Sequence, residues 1–331
     1  MEYLNSTIFS DIKTDSLHCK SYIYKTKYSM NLKYKPIIKK VNAFEAIRKE
    51  KNNSIDLLIT SPPYNIGKEY ETKKKFEKYL EPYEDFSIDI FNKLKNTGSL
   101  CWQVGNYVNK GEIIPLDIPF FDIFHKAGFK LRNRIIWHFQ HGLHASKRFS
   151  GRYETILWFT KSDKYIFNLD APGVRVPSKY PGKRNKKGKV TGNPLGKNPS
   201  DFMQITKQDW DKQIWEMPNV KANHPEKTIH PAQFPIELAQ RCILALTNEN
   251  NLILDPFCGT ATSLICSNLH KRFSIGYENN SDYLKIAKKR IREVEKGTIK
   301  IRKLGKPIHV PKTTDKVAQI PFEWFQKKSI Y

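Results

Sequence analysis

The sequence predicts an α/β fold with a doubly wound, mostly parallel sheet and a small additional module. Short apolar runs typical of buried strands alternate with amphipathic helical segments between Val41 and Glu295. Two of these runs end in turns rich in proline or glycine, as expected at strand ends. The length of 331 residues is sufficient for one large domain with a substantial core.

The elements follow one another in chain order. Strands are predicted where apolar or β-branched residues run together, and helices where apolar residues recur at spacings of three and four. The predicted strands are 55–60, 99–104, 134–139, 153–160, 252–254 and 273–277. The predicted helices are 43–51, 83–94, 119–127, 235–247, a segment ending at Leu269, and 281–295.

The composition favours a polyanionic partner. Lysine and arginine outnumber aspartate and glutamate by 57 to 33, which leaves a formal net charge of +24. A positive charge of this size would neutralise the phosphates of a nucleic acid. The alternative is that the organism's proteins are generally rich in lysine and the charge serves no particular partner. No apolar run is long enough to cross a bilayer, and the N-terminal segment lacks the apolar stretch of a secretion signal. We therefore expect a cytoplasmic protein with no membrane partner.

The cysteines indicate neither disulfides nor a metal site. They form no CxxC pair and no Cys/His cluster with zinc spacing. Free buried thiols are usual in a reducing cytoplasm. The five positions are Cys19, Cys101, Cys242, Cys258 and Cys266.

Composition and motif positions divide the chain into five parts. A basic N-terminal segment (1–40) is followed by a first half-domain (41–165) and an irregular region (166–228). A second half-domain (229–303) and a C-terminal tail (304–331) complete the chain.

Residues 171–200, within the irregular region, carry eight basic residues and no acidic residue. This segment is also rich in Gly and Pro, which predicts a basic loop or a small irregular module. A merely solvated loop is the alternative to a phosphate-binding one. The candidate phosphate-contacting residues are Lys183, Arg184, Lys186 and Lys187.

The strongest local signal is TSPPYN at residues 60–65, directly after a predicted strand. Pro62 and Pro63 make this turn rigid, because they fix φ and remove two N–H donors. In a doubly wound sheet, the carboxyl ends of the strands line the ligand crevice. Here the Ser61 hydroxyl and the Pro62 carbonyl can accept both N–H bonds of a conjugated amino group, which favours the more nucleophilic tetrahedral nitrogen. Tyr64 can stack on the attached ring; an ordinary loop with a packing tyrosine is the alternative.

The second signal is LILDPFCGTATS at residues 252–263. Gly259 permits a tight turn that a ligand can approach closely, and the following helix offers free N–H groups. Asp255 suits a positively charged ammonium group, and Glu278 ends the next strand, where a carboxylate accepts hydrogen bonds from ribose hydroxyls. A strand-to-helix turn with a capping acid is the alternative interpretation. The candidate ligand-binding residues are Asp255, Phe257, Cys258, Gly259, Thr260 and Glu278.

Together the two turns resemble the catalytic and cofactor motifs of the DNA amino-methyltransferases. Those enzymes carry Asp, Asn or Ser before Pro-Pro and an aromatic residue, and a cofactor turn similar to DPFxGxGT. This chain departs from the second pattern at Ala261, which occupies a glycine position. The catalytic turn comes first by about 190 residues, which resembles the beta group, where the target-recognition region lies between the motifs. KTIHPAQFP at 227–235 resembles the segment before the cofactor strand of that group.

The resemblance covers about residues 41–295 and includes methylases of type II restriction-modification systems. It implies a seven-stranded Rossmann-like methyltransferase sheet, S-adenosyl-L-methionine as cofactor, and base flipping out of double-stranded DNA. It also implies that residues 166–228 form the target-recognition region, and a cognate restriction endonuclease would act on the same site. The catalytic residues would be Ser61, Pro62, Pro63 and Tyr64.

Ser61 resembles the N4-cytosine members, whereas Asp is usual in the N6-adenine members. We therefore expect methylation of cytosine N4, with adenine N6 as the alternative. C5-cytosine methylation needs a cysteine nucleophile after proline, and no Pro-Cys dipeptide occurs. Glutamine methylation of a protein uses Asn first and the opposite motif order. A non-catalytic DNA-binding protein with this fold is a further alternative, and the sequence leaves monomer and homodimer both open.

Overall fold

The computed structural model describes most of the chain between Met30 and Arg302. The described residues are 30–67, 71–139, 144–171, 174–176, 178, 182–203, 219–220, 224–302 and 314. Most of the predicted terminal segments 1–40 and 304–331, Cys19, and residues 204–218 of the predicted target-recognition region lie outside them.

Ten strands and six α-helices form in the described residues. The strands are β1 (Ile37–Lys39), β2 (Ile55–Thr60), β3 (Leu94–Val104), β4 (Asn106–Asn109), β5 (Glu112–Pro115), β6 (Lys130–His138), β7 (Tyr153–Thr160), β8 (Phe202–Met203), β9 (Leu252–Asp255) and β10 (Phe273–Tyr277). The helices are α1 (Ala43–Lys49), α2 (Phe76–Lys93), α3 (Asp117–Lys126), α4 (Ile236–Leu246), α5 (Thr262–Leu269) and α6 (Ser281–Glu295).

Eight strands make one sheet in the order β1-β10-β9-β2-β3-β7-β6-β8. All neighbours from β1 to β3 are parallel, and β7 runs antiparallel between β3 and β6. The predicted doubly wound, mostly parallel α/β fold is therefore confirmed. The first seven strands of this order form the predicted seven-stranded sheet, and the two-residue β8 adds to its edge by pairing with β6.

The direction of winding reverses between β9 and β2. From β9 the chain crosses through α5 to β10 on one side, and from β2 it crosses through α2 to β3 on the other. The carboxyl ends of β9 and β2 are therefore adjacent at a topological switch point, which is where open α/β sheets bind ligands.

Alternate residues of the central strands enter two separate cores. Leu57 of β2 and Trp158 of β7 pack with α4, α5 and α6 on one face of the sheet. Leu58 and Phe159, their direct neighbours in sequence, pack with α1, α2 and α3 on the other face. Because both faces are covered, β2 is buried at every position rather than alternately.

Helix α2 begins at Phe76, seven residues before the predicted start, and continues through Pro82. Proline removes a helical hydrogen bond and costs about 3 kcal/mol inside a helix. Tyr79 and Tyr83 on either side of it are both buried in an aromatic cluster with Phe120. This packing stabilises the first turns of the helix despite the proline.

The four described cysteines are buried free thiols: Cys101, Cys242, Cys258 and Cys266. Within the described part of the chain, every helix is too short or too polar to cross a membrane.

Candidate active site

A cavity of about 520 Å³ opens at the carboxyl ends of β2, β9 and β10. Both sequence motifs line it: residues 61–65 contribute one wall, and residues 256–260 contribute another. Phe44 of α1, Tyr79 of α2 and Tyr283 of α6 add aromatic surface. The volume lies within the usual range for small-molecule sites.

The backbone of the catalytic turn is fixed by side chains from α2 and the loop before it. The Tyr79 hydroxyl donates to the Pro63 carbonyl at 2.7 Å. The Glu71 carboxylate accepts the backbone N–H groups of Asn65 and Ile66, each at 2.7 Å. The turn therefore has a fixed shape without using the Ser61 hydroxyl.

The Ser61 hydroxyl instead contacts Tyr64, because their oxygens lie 2.9 Å apart. The Gln103 amide of β3 donates to the Tyr64 hydroxyl at 3.0 Å. The Tyr64 hydroxyl in turn donates to the Glu154 carboxylate of β7 at 3.4 Å. Gln103 also donates to the Glu154 carboxylate. The structure thus brings Ser61 and Tyr64 of the candidate catalytic turn together. Gln103 and Glu154 belong to no recognisable sequence motif, and the sequence analysis did not identify them as site residues.

Asp255 lies beneath the cofactor turn and outside the cavity lining. Its carboxylate accepts hydrogen bonds from Thr60 Oγ1 at 2.6 Å, from the Phe257 N–H at 3.2 Å, and from the Ser263 hydroxyl. Burial raises the pKa of Asp255 to about 6, while these donors oppose the rise. The expected contact with a ligand ammonium group is therefore corrected: this carboxylate holds the turn and joins it to β2.

The shape of the cofactor turn depends on two left-handed residues. Gly259 has φ +49°, and a Cβ there would lie 3.2 Å from His230 Nε2. Ala261 has φ +63° and is fully buried, so the alanine adopts the conformation expected of the glycine it replaces. Arg290 of α6 supports the turn from below, donating to the Thr260 carbonyl at 2.7 Å and to the Thr262 hydroxyl at 3.0 Å.

The other candidate cofactor residues line the cavity: Phe257, Cys258, Gly259, Thr260 and Glu278. Glu278 follows β10 and is half-buried. Burial raises its pKa, while backbone N–H groups, including that of Asn280 at 2.6 Å, oppose the rise. Its carboxylate lies where a ribose acceptor was expected.

His230, in the segment at 227–235, also lines the cavity and packs edge-on against Tyr283 at 4.2 Å between ring centroids. Burial lowers the pKa of His230 to about 4, so the ring is neutral at physiological pH. Its Nδ1 accepts the backbone N–H of Ala232 at 3.2 Å, which leaves the proton on Nε2, beside Gly259.

The candidate phosphate-contacting residues are outside the cavity. Lys183, Arg184, Lys186 and Lys187 are all exposed. They belong to a small hairpin. Arg184 and Val190 form an antiparallel β-bridge in it, and the Asn185 N–H donates to the Lys189 carbonyl at 2.9 Å. The hairpin projects two lysines at its tip.

Comparison with known proteins identifies the family. Residues 55–289 match the family of N6- and N4-type DNA methylases. The chain belongs to this family. The resemblance inferred from the two turns is therefore confirmed, and the methylases of this family use S-adenosyl-L-methionine.

Individual relatives are similar over most of this methylase. The type II methyltransferase M.BglII of Bacillus subtilis is 45% identical over 241 residues, which are 71% of this chain and 63% of the relative. The chain thus spans less than two thirds of that relative. The DNA adenine methyltransferase YhdJ of Escherichia coli K12 is 30% identical over 261 residues, covering 76% and 80% of the two chains. The structure of the cytosine-N4-specific PvuII DNA methyltransferase shares the fold, with a TM-score of 0.59, 18% identity, and coverage of 82% and 94%.

The residues that line the cavity fit the family cofactor. Gly259 lets the backbone approach a ligand where a Cβ would meet His230. Glu278 offers a carboxylate for hydroxyl groups, and Phe257 offers an aromatic ring beside the turn. The cavity thus combines aromatic surface with a few hydrogen-bonding groups, as a site for an adenosine derivative requires.

Proposed function

We propose that this methylase transfers a methyl group from S-adenosyl-L-methionine to N4 of cytosine in double-stranded DNA. The observation that carries the proposal is Ser61, a hydroxyl at the first catalytic position, set at the wall of the cavity. A hydroxyl and a backbone carbonyl are both hydrogen-bond acceptors for an amino group.

In this proposal, the Ser61 hydroxyl and the Pro62 carbonyl accept the two N–H bonds of the target amine. They draw its nitrogen toward a tetrahedral geometry and free its lone pair for attack. The Tyr64 ring stacks on the extruded base, a contact worth about 1–3 kcal/mol. The cofactor supplies an electrophilic methyl group, and residues 257–260 with Glu278 hold it next to the amine.

Methylation of adenine N6 is the second candidate. It is favoured by the 30% identity to a DNA adenine methyltransferase. An acceptor hydroxyl can serve either exocyclic amine, and fit alone discriminates by on the order of 1–3 kcal/mol. We favour cytosine because Ser61 stands at the position where the N4-cytosine members carry serine.

The proposed setting is a cytoplasmic restriction-modification system in which a cognate endonuclease cuts the same, unmethylated site. It rests on similarity to relatives named type II methyltransferases. A DNA-binding protein without activity is disfavoured, because the Ser61–Tyr64 turn and the cofactor turn are both intact around one cavity.

We further propose that the hairpin at 183–190 contacts DNA phosphates. Neutralising Lys183, Arg184, Lys186 and Lys187 together should weaken binding to duplexes of any sequence. The slope of log affinity against log salt should fall by about 0.9 for each phosphate that these side chains no longer neutralise. An unchanged slope in a filter-binding titration would mean that the hairpin is only solvated.

The identity of the methylated nucleoside distinguishes cytosine from adenine as the target base. Unmethylated genomic DNA would be incubated with the enzyme and labelled cofactor, digested to nucleosides and analysed by mass spectrometry. We expect N4-methylcytosine. N6-methyladenine as the main product would overturn the cytosine assignment, and no transfer to either base would overturn the proposed activity.

A further inference from the structure

The Tyr64 hydroxyl lies at the centre of a polar cluster behind the catalytic turn. Ser61 Oγ, Gln103 Nε2 and Glu154 Oε2 lie 2.9, 3.0 and 3.4 Å from it. Tyr64 and Gln103 are buried. Gly105 makes room for this arrangement, because a Cβ there would lie 3.1 Å from the Tyr64 ring and 3.5 Å from Glu154.

The number of protons in this cluster determines which group donates in each of its hydrogen bonds. A phenol has one proton to donate, and the Gln103 amide already donates to the phenol oxygen. Of the neighbouring oxygens, those of Ser61 and Glu154 lie within reach of the Tyr64 proton. A carboxylate is the stronger acceptor, since hydrogen bonds to ionised groups are roughly twice as strong as neutral ones.

When Tyr64 donates to Glu154, Ser61 must donate its own proton to Tyr64. Both lone pairs of the Ser61 oxygen are then left for the cavity. When Tyr64 donates to Ser61 instead, one of these lone pairs is used, and the Ser61 proton is left facing the N–H bonds of the target amine. The first arrangement therefore makes Ser61 the better acceptor for the amine, because it leaves two lone pairs and no proton facing the N–H bonds.

We propose that Glu154 is a positioning residue that orients the Tyr64–Ser61 hydrogen bond so that Ser61 presents acceptor lone pairs to the target amino group. Glu154 acts through Tyr64 and does not itself touch the substrate. The inference rests on the proposed function, because it assigns Ser61 the role of acceptor. It applies equally to cytosine and to adenine, which both offer an exocyclic amine.

A double-mutant cycle tests this role. Single-turnover methyl transfer to unmethylated genomic DNA would be measured for wild type, Glu154→Gln, Tyr64→Phe and the double variant. Calorimetric titration with S-adenosyl-L-methionine shows whether each variant keeps its fold and cofactor site. Glu84→Gln removes an exposed carboxylate from the outer side of α2 and serves as the matched control.

We expect Glu154→Gln to lower the methyl-transfer rate about tenfold without changing cofactor affinity. In the Tyr64→Phe background the same substitution should have no further effect, because no phenol proton is left to orient. The exchange Gln103→Glu with Glu154→Gln restores one carboxylate beside the hydroxyl and should recover most of the rate.

Equal effects of Glu154→Gln with and without the Tyr64 hydroxyl would overturn the inference, as would a wild-type rate in Glu154→Gln. Reduced cofactor affinity in Glu154→Gln would also contradict it, by indicating a structural role. A wild-type enzyme that transfers no methyl group would overturn the proposed function and this inference together, which distinguishes that failure from the others.

Discussion

The catalytic turn and the cofactor turn face the same cavity but are held in different ways. At the catalytic turn, distant side chains bind the backbone: Tyr79 holds the Pro63 carbonyl and Glu71 holds two amides. At the cofactor turn, Asp255 binds groups within the turn and Arg290 supports it from below. The catalytic turn thus leaves the Ser61 side chain at the cavity wall, whereas the shape of the cofactor turn is set by its own backbone and by the side chains beneath it.

This difference separates chemistry from binding. A side-chain change at the catalytic turn should alter the reaction while the cavity keeps its shape. A change that alters backbone conformation at the cofactor turn should alter ligand affinity. The two turns are joined by the buried bond from Thr60 to Asp255, so damage to that carboxylate should affect stability rather than either function alone.

The largest expected effect is on catalysis. Ser61→Ala removes the acceptor hydroxyl and should lower the rate of methyl transfer about 10²–10³-fold, the loss found when one transition-state hydrogen bond to an oxyanion is removed in other enzymes. Cofactor affinity should stay within about twofold, because the backbone of the turn is held by Tyr79 and Glu71. Ser54→Ala, which removes a hydroxyl bonded to Lys51 away from the cavity, is the control. A parallel fall in affinity and rate would contradict the separation.

The next effect is on binding. Gly259→Val places a branched side chain against His230 at a residue with positive φ, and should weaken cofactor binding by about 100-fold. Gly111→Val also has a positive φ but nothing within 4 Å of its Cβ, so it carries the backbone strain without the clash. Isothermal titration of both variants distinguishes the two causes. Equal affinity in both would remove Gly259 from the cofactor site.

Asp255 should link stability to pH. Its folded pKa of about 6 lies above the ordinary aspartate value of 3.8, so the folded state binds the proton more tightly. Its favourable contribution is therefore present below pH 4 and is lost as pH rises through 6. The shift corresponds to about 3 kcal/mol at most.

We expect the free energy of unfolding of wild type to fall relative to Asp255→Asn between about pH 4 and 7. Urea denaturation of both proteins without cofactor, at half-unit pH steps, measures the difference. Parallel curves would show that the Thr60 and Ser263 hydroxyls fully offset the burial of the carboxylate.

Much of this arrangement was predictable from local sequence. The apolar strands, the turns at their ends and the acid at Glu278 carry short-range signals, and the structure brings them to one crevice. The motif also assigned Ser61 and Tyr64 to one candidate catalytic turn. These features depend on chain geometry over a few residues, which local patterns describe well.

The remaining parts depend on contacts between distant residues. Gln103 and Glu154 meet Tyr64 across 39 and 90 positions, and no local pattern marks either residue. Asp255 looked like a ligand-binding acid because burial cannot be seen from a single strand end. The predicted start of α2 at Tyr83 was seven residues too late, because aromatic packing around Tyr79 and Tyr83 stabilises the turns that contain Pro82.

The smallest expected effect is at Ala261, where the cofactor turn departs from the family pattern. Its left-handed conformation costs about 1–2 kcal/mol for an L-residue, which glycine would relieve. Glycine would also forgo about 0.8 kcal/mol of methyl burial and about 0.4–1 kcal/mol through a freer unfolded chain. Ala261→Gly should therefore change the free energy of unfolding by less than about 1 kcal/mol.

Cofactor affinity should change less still, because the Ala261 methyl group is buried in the core beside α5 and does not line the cavity. The turn already has the backbone shape that glycine would adopt, so the substitution removes strain without moving the cavity wall. Titration with S-adenosyl-L-methionine should give dissociation constants within about threefold of each other. A tenfold gain in affinity would show that the methyl group crowds the ligand, and the turn would then control binding through a side chain as well as through its backbone.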